Sequence, residues 1–352
     1  MLSPSNLRFV TSPRLETLFS SRSQTAPAMT DANAGGEGDH YSALNKSAYD
    51  SAMFYAEGPY RQWQQDHAIA ALQLGREASA AAEGDKTGWG KGSELCDLGG
   101  GNGMFAAEMA RSVGMAPGSV TVVEPSAEML AGVKDLPPAD AAMIGDSICS
   151  GLEEWAALGH LTTQEYEDEE EEQAAPPRFA RAMLKEVVHH MSGPAERIAA
   201  WKDLRERRMT DDGVLLIIAR PQTDIDYPMF DAARKVWASR QPAEQDLAAE
   251  LKEAGFPYAT CTRQDYDCSI SLGEWIGLVR QRFWSTFSAF DDAELEAGCA
   301  EIRAGRADDV QLHFQDRLVF IVASNSEAAT SEGGGSSSGD GQVAAAAAEA
   351  KA

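Results

Sequence analysis

Basic residues are scarce in this sequence. Lysine and arginine together number 30 against 55 aspartates and glutamates, which gives a formal net charge of -25 over 352 residues. Proteins that bind nucleic acid neutralise phosphates with clusters of lysine and arginine, and the sequence has no such cluster. The composition therefore argues against a nucleic-acid substrate.

Long hydrophobic runs are also missing. The longest aliphatic runs cover residues 214–219 and 318–323, far short of the roughly 20 apolar residues that a membrane-spanning helix needs. The sequence therefore predicts a soluble protein with no membrane span. Because 43% of the residues are hydrophobic and 8% are aromatic, the chain can still bury a core.

Cysteine is both rare and irregularly placed. The five cysteines are odd in number and include no C-x-x-C pair, which fits a reducing compartment and neither a disulfide framework nor a zinc site. We interpret them as small buried apolar residues and predict no metal site. They are Cys96, Cys149, Cys261, Cys268 and Cys299.

Three segments have the composition of chain outside a core. Residues 1–40 are predicted to be a disordered leader. Within it, residues 1–28 are rich in serine, threonine and arginine, like an organellar transit peptide, although Met29 is an alternative start. The protein is thus expected in the cytoplasm, or in a chloroplast or mitochondrion, and not outside the cell. Residues 165–177 form an acidic loop insert, and residues 326–352 form a low-complexity tail.

Between residues 41 and 325, short apolar runs alternate with amphipathic stretches, a pattern typical of a single α/β domain. The continuous aliphatic runs favour a mostly parallel sheet with helices on both faces, that is, a Rossmann-like fold with seven strands. We expect an N-terminal helical cap or lid (41–90) and a helical insertion after strand five (221–312). The predicted strands are 94–98, 120–123, 142–144, 179–187, 214–219, 259–269 and 317–323. The predicted helices are 103–113, 126–134, 148–158, 195–208, 243–254, 272–285 and 293–304.

A glycine-rich loop joins the first predicted strand to its helix. The sequence there is D-L-G-G-G-N-G, from Asp97 to Gly103. Glycines allow a tight turn and let a ligand approach backbone N–H groups without a Cβ in the way. Such a loop alone does not discriminate between nicotinamide, flavin and S-adenosylmethionine (SAM) enzymes.

The spacing within this loop weakens the nicotinamide interpretation. A dinucleotide fingerprint that starts at Gly99 needs a glycine where the chain has Met104. What remains is the pattern D-x-G-x-G-x-G. The Asp97 carboxylate would attract the ammonium group of an amino-acid ligand, whereas it would repel a pyrophosphate.

This segment resembles the first motif of class I SAM-dependent methyltransferases, in particular the small-molecule branch of the ubiquinone and menaquinone biosynthesis type. Four further motifs follow in order: VTVVE ending at Glu124, AMIGDS at 142–147, FARAMLKEVVHHM at 179–191 and DDGVLLII at 211–218. Ala180 departs from the family, which usually has aspartate after the phenylalanine. The resemblance covers residues 90–220 closely and implies methyl transfer from SAM, with S-adenosylhomocysteine as the product.

The resemblance and the residue chemistry together define a candidate site. Glu124 can accept hydrogen bonds from both ribose hydroxyls, and the third-strand motif of the family implies that Asp146 contacts adenine. The candidate catalytic residues His189 and His190 follow the fourth strand, where one of them could instead cap the turn. The cofactor-binding candidates are Asp97, Gly99, Gly101, Asn102, Gly103, Glu124, Pro125, Asp146, Ser147 and Lys185.

The acceptor is expected to be a small molecule bound by residues outside the strand motifs. Arginines that stand out against an acidic chain suggest an anionic, carboxylate-bearing acceptor, although pairing with nearby surface carboxylates is the alternative. Arg280 and Trp284 are expected to share a helix face, and tyrosines before the first strand could cover a ligand or simply pack. The candidates are Tyr41, Tyr49, Arg220, Trp275, Arg280, Arg282 and Trp284.

Two other functions stay open. One is a nicotinamide-dependent oxidoreductase, and the other is a non-catalytic scaffold with a methyltransferase-like sheet. A nucleic-acid or protein methyltransferase is disfavoured by the charge and by the V-H-H-M sequence that follows strand four in place of an N/D-P-P-Y-like tetrapeptide. The methylated atom and the oligomeric state are not predicted by the sequence.

Overall fold

The computed structural model describes residues 58–74, 95–158 and 178–325. The predicted leader, acidic insert and tail, most of the N-terminal cap, and both Tyr41 and Tyr49 lie outside these residues, so those predictions stay predictions.

The described chain alternates strands and helices as the sequence predicts. The strands are β1 (Leu95–Leu98), β2 (Val120–Glu124), β3 (Ile144–Cys149), β4 (Phe179–Lys185), β5 (Met209–Ala219), β6 (Tyr258–Ser271) and β7 (Gln311–Ser324). The helices are α1 (Pro59–Leu72), α2 (Met104–Ser112), α3 (Ala127–Ala131), α4 (Pro138–Ala141), α5 (Leu152–Leu158), α6 (Pro194–Asp203), α7 (Asp231–Arg240), α8 (Glu244–Glu253), α9 (Leu272–Arg280) and α10 (Asp292–Arg303).

The seven strands form one mixed sheet in the order β3-β2-β1-β4-β5-β7-β6. Strands β1 to β5 are parallel, and β7 is antiparallel to both of its neighbours. The chain moves outward from β1 through β2 to β3 and then returns to the other side of β1 as β4. The carboxyl ends of β1 and β4 therefore form the switch point of the sheet, where open α/β sheets bind ligands.

Both faces of the central strands are buried, as their aliphatic runs predict. Ala182 and Leu184 of β4 pack with Trp201 of α6 on one face. Met183, between them in the sequence, packs with α1, α2 and β7 residues such as Phe320 on the other face. Alternating side chains thus serve two cores, which explains the uninterrupted apolar runs 182–184 of β4 and 214–219 of β5.

A third core is formed by the second half of the chain. It is rich in aromatic side chains and joins the segment around Tyr227 with α7, α9, α10 and the outer halves of β6 and β7. Trp275 and Trp284 lie inside it, with exposed fractions of 0% and 6%. This core is separate from the two that cover the faces of the sheet.

The boundaries of several elements differ from the prediction. β3 extends to Cys149, whereas the sequence suggested that it ends at residue 144 and that a helix begins at 148. The strand predicted at 259–269 is β6, which begins one residue earlier and ends two residues later. The last two helices of the segment 221–312 lie between β6 and β7. Helix α7 was not predicted, and α9 ends at Arg280 instead of continuing to 285.

Among the described helices, none is long and apolar enough to cross a bilayer. Within the same residues, no group of three or more histidine, cysteine or carboxylate side chains is placed to hold a metal ion.

Candidate functional site

The glycine loop follows β1 directly at the switch point. Gly99, Gly101 and Gly103 have φ values of +71°, +60° and +73°, in the left-handed region that favours glycine. The loop is also tightly packed, because a Cβ on Gly103 would lie 2.6 Å from Cγ2 of Val122. The glycines are therefore required by both backbone conformation and space.

This requirement can be separated into its two parts by substitution. Gly103→Ala is expected to lower the free energy of unfolding by about 2–3 kcal/mol, from left-handed strain and overpacking together. Gly114→Ala is the matched control, because Gly114 has a φ of +78° with no atom within 4 Å of its Cβ position, and should cost only about 1 kcal/mol. Equal losses in urea-induced unfolding would contradict the close packing of the loop.

Two carboxylates flank the loop. Asp97, on β1, is 2% exposed, and burial raises its pKa to about 7, opposed by the Lys185 ammonium. The Glu124 carboxylate ends β2 and accepts hydrogen bonds from the backbone N–H of Gly101 at 3.0 Å and of Ser126 at 2.9 Å. Burial raises the pKa of Glu124, and these two hydrogen bonds oppose that shift. Both side chains lie where the sequence placed them.

A half-buried lysine completes this part of the site. Lys185 is the last residue of β4, and its Nζ lies 5.0 Å from the ring centroid of Phe105 at the start of α2. The pKa of Lys185 is lowered to about 8, first by burial and then by the nearby Arg220, whereas Asp97 opposes the shift. The lysine thus lies among charged groups at the carboxyl edge, between β1 and β5.

Two further cofactor candidates, Asn102 and Pro125, follow β1 and β2. Asn102 accepts a hydrogen bond at Oδ1 from the N–H of Met104 at 3.2 Å, which satisfies a free donor in the first turn of α2. Pro125 lies just beyond β2, and its carbonyl faces the Cys149 Sγ at 3.5 Å.

Asp146 and Ser147 lie in the middle of β3, where they pair with Thr121 and Val122 of β2, and the residue opposite Glu124 is Cys149. Ser147 is level with Asp97, which also pairs with Val122, and Asp146 lies one residue further from the carboxyl edge. Strand β3 thus continues beyond residue 144, where the sequence suggested that it ends. The adenine contact expected of Asp146 stays a prediction.

The two candidate catalytic histidines lie next to the site. His189 and His190 form a one-turn 3-10 helix with Val188, shortly after β4. Their rings are half-buried, and the ring centroids are 4.0 Å apart. The structure thus brings both imidazoles to the carboxyl edge, as the sequence predicted, and their catalytic role stays a prediction.

Arg220 lies at this edge, but its guanidinium is already paired. It forms two hydrogen bonds of 3.1 Å to the buried carboxylate of Asp316 and also pairs with Glu186. The hydroxyls of Tyr60 and Tyr227 donate to the same Asp316 carboxylate. Although burial acts to raise the pKa of Asp316, Arg220 and the hydroxyls hold it below its usual range. We refer to these five residues as the Arg220 cluster.

The other acceptor candidates lie in the third core or on the surface. Trp275 is buried and donates from Nε1 to the carbonyl of Pro228 at 2.6 Å. Trp284 is buried, and the Cζ of Arg220 lies over its ring, 5.3 Å from the ring centroid. Arg280 pairs with Glu296, and Arg282 pairs with Asp292, in exposed ion pairs.

These positions correct one expectation from the sequence and bear on another. Arg280 and Trp284 do not share a helix face, because α9 ends at Arg280 and Arg282 has a φ of +52°. The structure pairs Arg220, Arg280 and Arg282 with carboxylates of the chain itself, which is the alternative that the sequence analysis gave, and the anionic acceptor stays a prediction.

The order and direction of the strands decide the fold: five parallel strands open at one edge, with an antiparallel β7 inserted between β5 and β6. This is a Rossmann-like fold.

Comparison with solved structures found several chains to which this chain is similar. They include a cyclopropane synthase of Mycobacterium tuberculosis (14% identity, 81% of this chain and 93% of that chain covered, TM-score 0.43). A protein described as a methyltransferase from Bacillus halodurans gives 14% identity, 72% and 98% coverage and a TM-score of 0.42. A SAM-dependent methyltransferase from Archaeoglobus fulgidus has 10% identity and a TM-score of 0.38, with 76% of this chain and 100% of that chain covered. No protein-family model and no curated protein sequence matches this chain.

Sequence reasoning missed most of the Arg220 cluster. Tyr60 lies in the segment that the sequence assigned only to an N-terminal helical cap, and Glu186 lies in the fourth-strand motif, where no role was assigned to it. Asp316 had a usable signal, since it is a charged residue just before the apolar run of β7. Its partner Arg220 is 96 positions away in the sequence, so the pairing itself could not be read from either segment.

Proposed function

We propose that this protein is a SAM-dependent methyltransferase that acts on a small-molecule acceptor. The observation that carries the proposal is the pair of buried or half-buried carboxylates around the glycine loop. Asp97 lies buried at the start of the loop, and Glu124, on the neighbouring strand, accepts a hydrogen bond from the N–H of Gly101 in the loop. Both belong to the switch point of a sheet with the methyltransferase strand order.

The residues present fit SAM. An ammonium group can be held by the Asp97 carboxylate, which is desolvated and therefore gains from a cationic ligand. The ribose hydroxyls can donate to the Glu124 carboxylate, which now accepts from backbone N–H groups. A Cβ on Gly100 would lie 2.5 Å from Oδ2 of Asp97, so the loop keeps free the space above that carboxylate.

SAM supplies a methyl group that its sulfonium already activates for displacement. The protein then has to orient the acceptor in line with that methyl group and exclude water. His189 and His190 are the residues that we propose to contact the acceptor and take its proton when it carries one at neutral pH. The excess of carboxylates over cations supports a small molecule in preference to a nucleic acid.

Cofactor binding tests the proposal directly. We expect S-adenosylhomocysteine to bind the purified protein in calorimetry, with NADH giving no heat under the same conditions. Labelled SAM incubated with a small-molecule extract of the source should then give a labelled product that mass spectrometry can identify. Tight NADH binding without S-adenosylhomocysteine binding would favour the oxidoreductase, and S-adenosylhomocysteine binding with no labelled product would favour the scaffold.

A further inference from the structure

Glu186 has a left-handed backbone conformation, which residues other than glycine rarely adopt. It follows β4 at the switch point and has a φ of +60°, which costs a residue with a Cβ about 1–2 kcal/mol relative to an extended or helical conformation. Its N–H donates to the carbonyl of Ile218 at 2.8 Å, so the turn is held in place by β5. Strain of this kind persists where the surrounding structure fixes it, and it occurs often at functional sites.

One oxygen of the Glu186 carboxylate is left without a partner. Oε2 pairs with Arg220, whereas Oε1 is buried and accepts no hydrogen bond from any residue that the structure describes. A buried carboxylate oxygen without a donor is unfavourable. The carboxylate therefore has an unused capacity to bind a donor.

Charge balance points to the nature of that donor. Asp316 alone neutralises Arg220 through two hydrogen bonds, so Glu186 adds a negative charge that Arg220 does not require. Among the described residues at the edge around Glu186, two cations, Lys185 and Arg220, stand against four carboxylates, namely Asp97, Glu124, Glu186 and Asp316, and the nearby Arg61 is paired with Glu108. SAM would add one net positive charge, which leaves the edge short of a cation.

The position of Glu186 relative to the glycine loop is suitable for acceptor binding. The next residue, Val187, lies against the loop, since a Cβ on Gly99 would come within 2.5 Å of Cγ2 of Val187. Glu186 is therefore one residue from the cofactor loop, on the side of β5, while Asp97 and Glu124 lie on the side of β1 and β2. A ligand held by Glu186 would approach the cofactor from the opposite side to the ribose.

We propose that Glu186 binds the methyl acceptor through Oε1 and that the acceptor is a small amine. This inference rests on the proposed function and names the substrate class for the same site. The ammonium form of the amine gives a proton to the Glu186 carboxylate. The nitrogen lone pair then forms the bond to the methyl carbon, and the sulfur keeps the electron pair of the bond that breaks.

The experiment compares the wild-type protein, Glu186→Gln and a control, Glu296→Gln, which changes the exposed partner of Arg280. Glutamine keeps an oxygen for Arg220 but loses the charge. Labelled SAM is supplied with ethanolamine and glycine, with their uncharged or anionic counterparts ethylene glycol and glycolate, and with the cation-exchange fraction of a source extract. Calorimetry with S-adenosylhomocysteine and thermal unfolding are measured on all three proteins.

We expect the labelled methyl group on the nitrogen atom of one of the supplied amines or of an amine in the cationic fraction. Glu186→Gln should lower kcat/KM for that amine roughly 10- to 100-fold, as loss of a charged hydrogen-bonding partner does. Its affinity for S-adenosylhomocysteine should stay within about twofold of wild type, its thermal midpoint should be unchanged or higher, and Glu296→Gln should match wild type throughout.

Several results would overturn the inference. They are label found only on oxygen, sulfur or carbon, no labelled amine although S-adenosylhomocysteine binds, and a Glu186→Gln protein as active on the amine as wild type. A purely structural role would instead lower the thermal midpoint and weaken S-adenosylhomocysteine binding together. Failure of S-adenosylhomocysteine to bind wild type would reject the proposed function itself, and the inference with it.

Discussion

Arg220→Met is expected to lower the free energy of unfolding by about 3–5 kcal/mol, because it leaves the Asp316 carboxylate buried without its cation. Asp316 has an exposed fraction of 0%, and Arg220 one of 3%. The same cluster links α1, through Tyr60, to β7 and to the segment that contains Tyr227. Its loss should therefore loosen the packing of the N-terminal helix as well. Urea-induced unfolding followed by circular dichroism gives the measurement.

Two further variants make this test specific. Arg280→Met removes an arginine from an exposed pair with Glu296 and should change stability by less than about 1 kcal/mol. The double variant Arg220→Met with Asp316→Leu removes both buried charges, so it should lose less than the sum of the two single variants. Equal small losses for Arg220→Met and Arg280→Met would show that the cluster is not buried in solution.

Asp97→Asn is expected to weaken the binding of S-adenosylhomocysteine about 10- to 100-fold, the effect of losing one charged hydrogen bond to an ammonium group. Asp146→Asn is compared with it. The resemblance to methyltransferases implies that Asp146 contacts adenine, whereas the structure places its side chain exposed in the middle of β3. We expect its affinity within about twofold of wild type, measured by calorimetry. A large loss in Asp146→Asn would instead support the adenine contact.

Asp97→Asn, which is expected to weaken ligand binding, should make the fold more stable. Because burial raises the pKa of Asp97 to about 7, the folded protein holds a proton there between about pH 4 and pH 7 that the unfolded chain has released. The folded state therefore loses stability as pH rises through this window. At pH 8 the free energy of unfolding of Asp97→Asn should be about 2 kcal/mol higher than that of wild type, and at pH 4 the two should be equal. A gain that does not depend on pH would show that Asp97 is not the group responsible.

Cofactor binding should follow the pH in the other direction. A cationic ligand favours the ionised carboxylate, so the affinity of wild type for S-adenosylhomocysteine should rise with pH as Asp97 loses its proton near pH 7. The affinity of Asp97→Asn should lack this rise. The two pH profiles together would identify Asp97 as a residue that is unfavourable for the free fold and favourable for the ligand.

The sequence alone determined the features that depend on neighbouring residues. A strand ending at Leu98, a loop of glycines and a helix beginning at Met104 are encoded within ten residues, because glycine is the residue that tolerates the left-handed φ values observed there. The aliphatic runs of β4 and β5 likewise predicted strands buried on both faces. Asp97, Glu124 and the two histidines could be placed at one edge because carboxyl ends of parallel strands share it.

The tertiary structure alone decided which charges are available. Arg220 looked like a free cation in an acidic chain, but β7 brings Asp316 against it from 96 residues away. Trp275 and Trp284 looked like pocket residues, but they pack into an aromatic core. Asp146 matched a motif, and the pairing of β2 with β3 places it in the middle of an extended strand. In each case the deciding interaction is a long-range contact or a pairing register, which local sequence does not encode. The strained Glu186 and its unpaired oxygen became visible for the same reason.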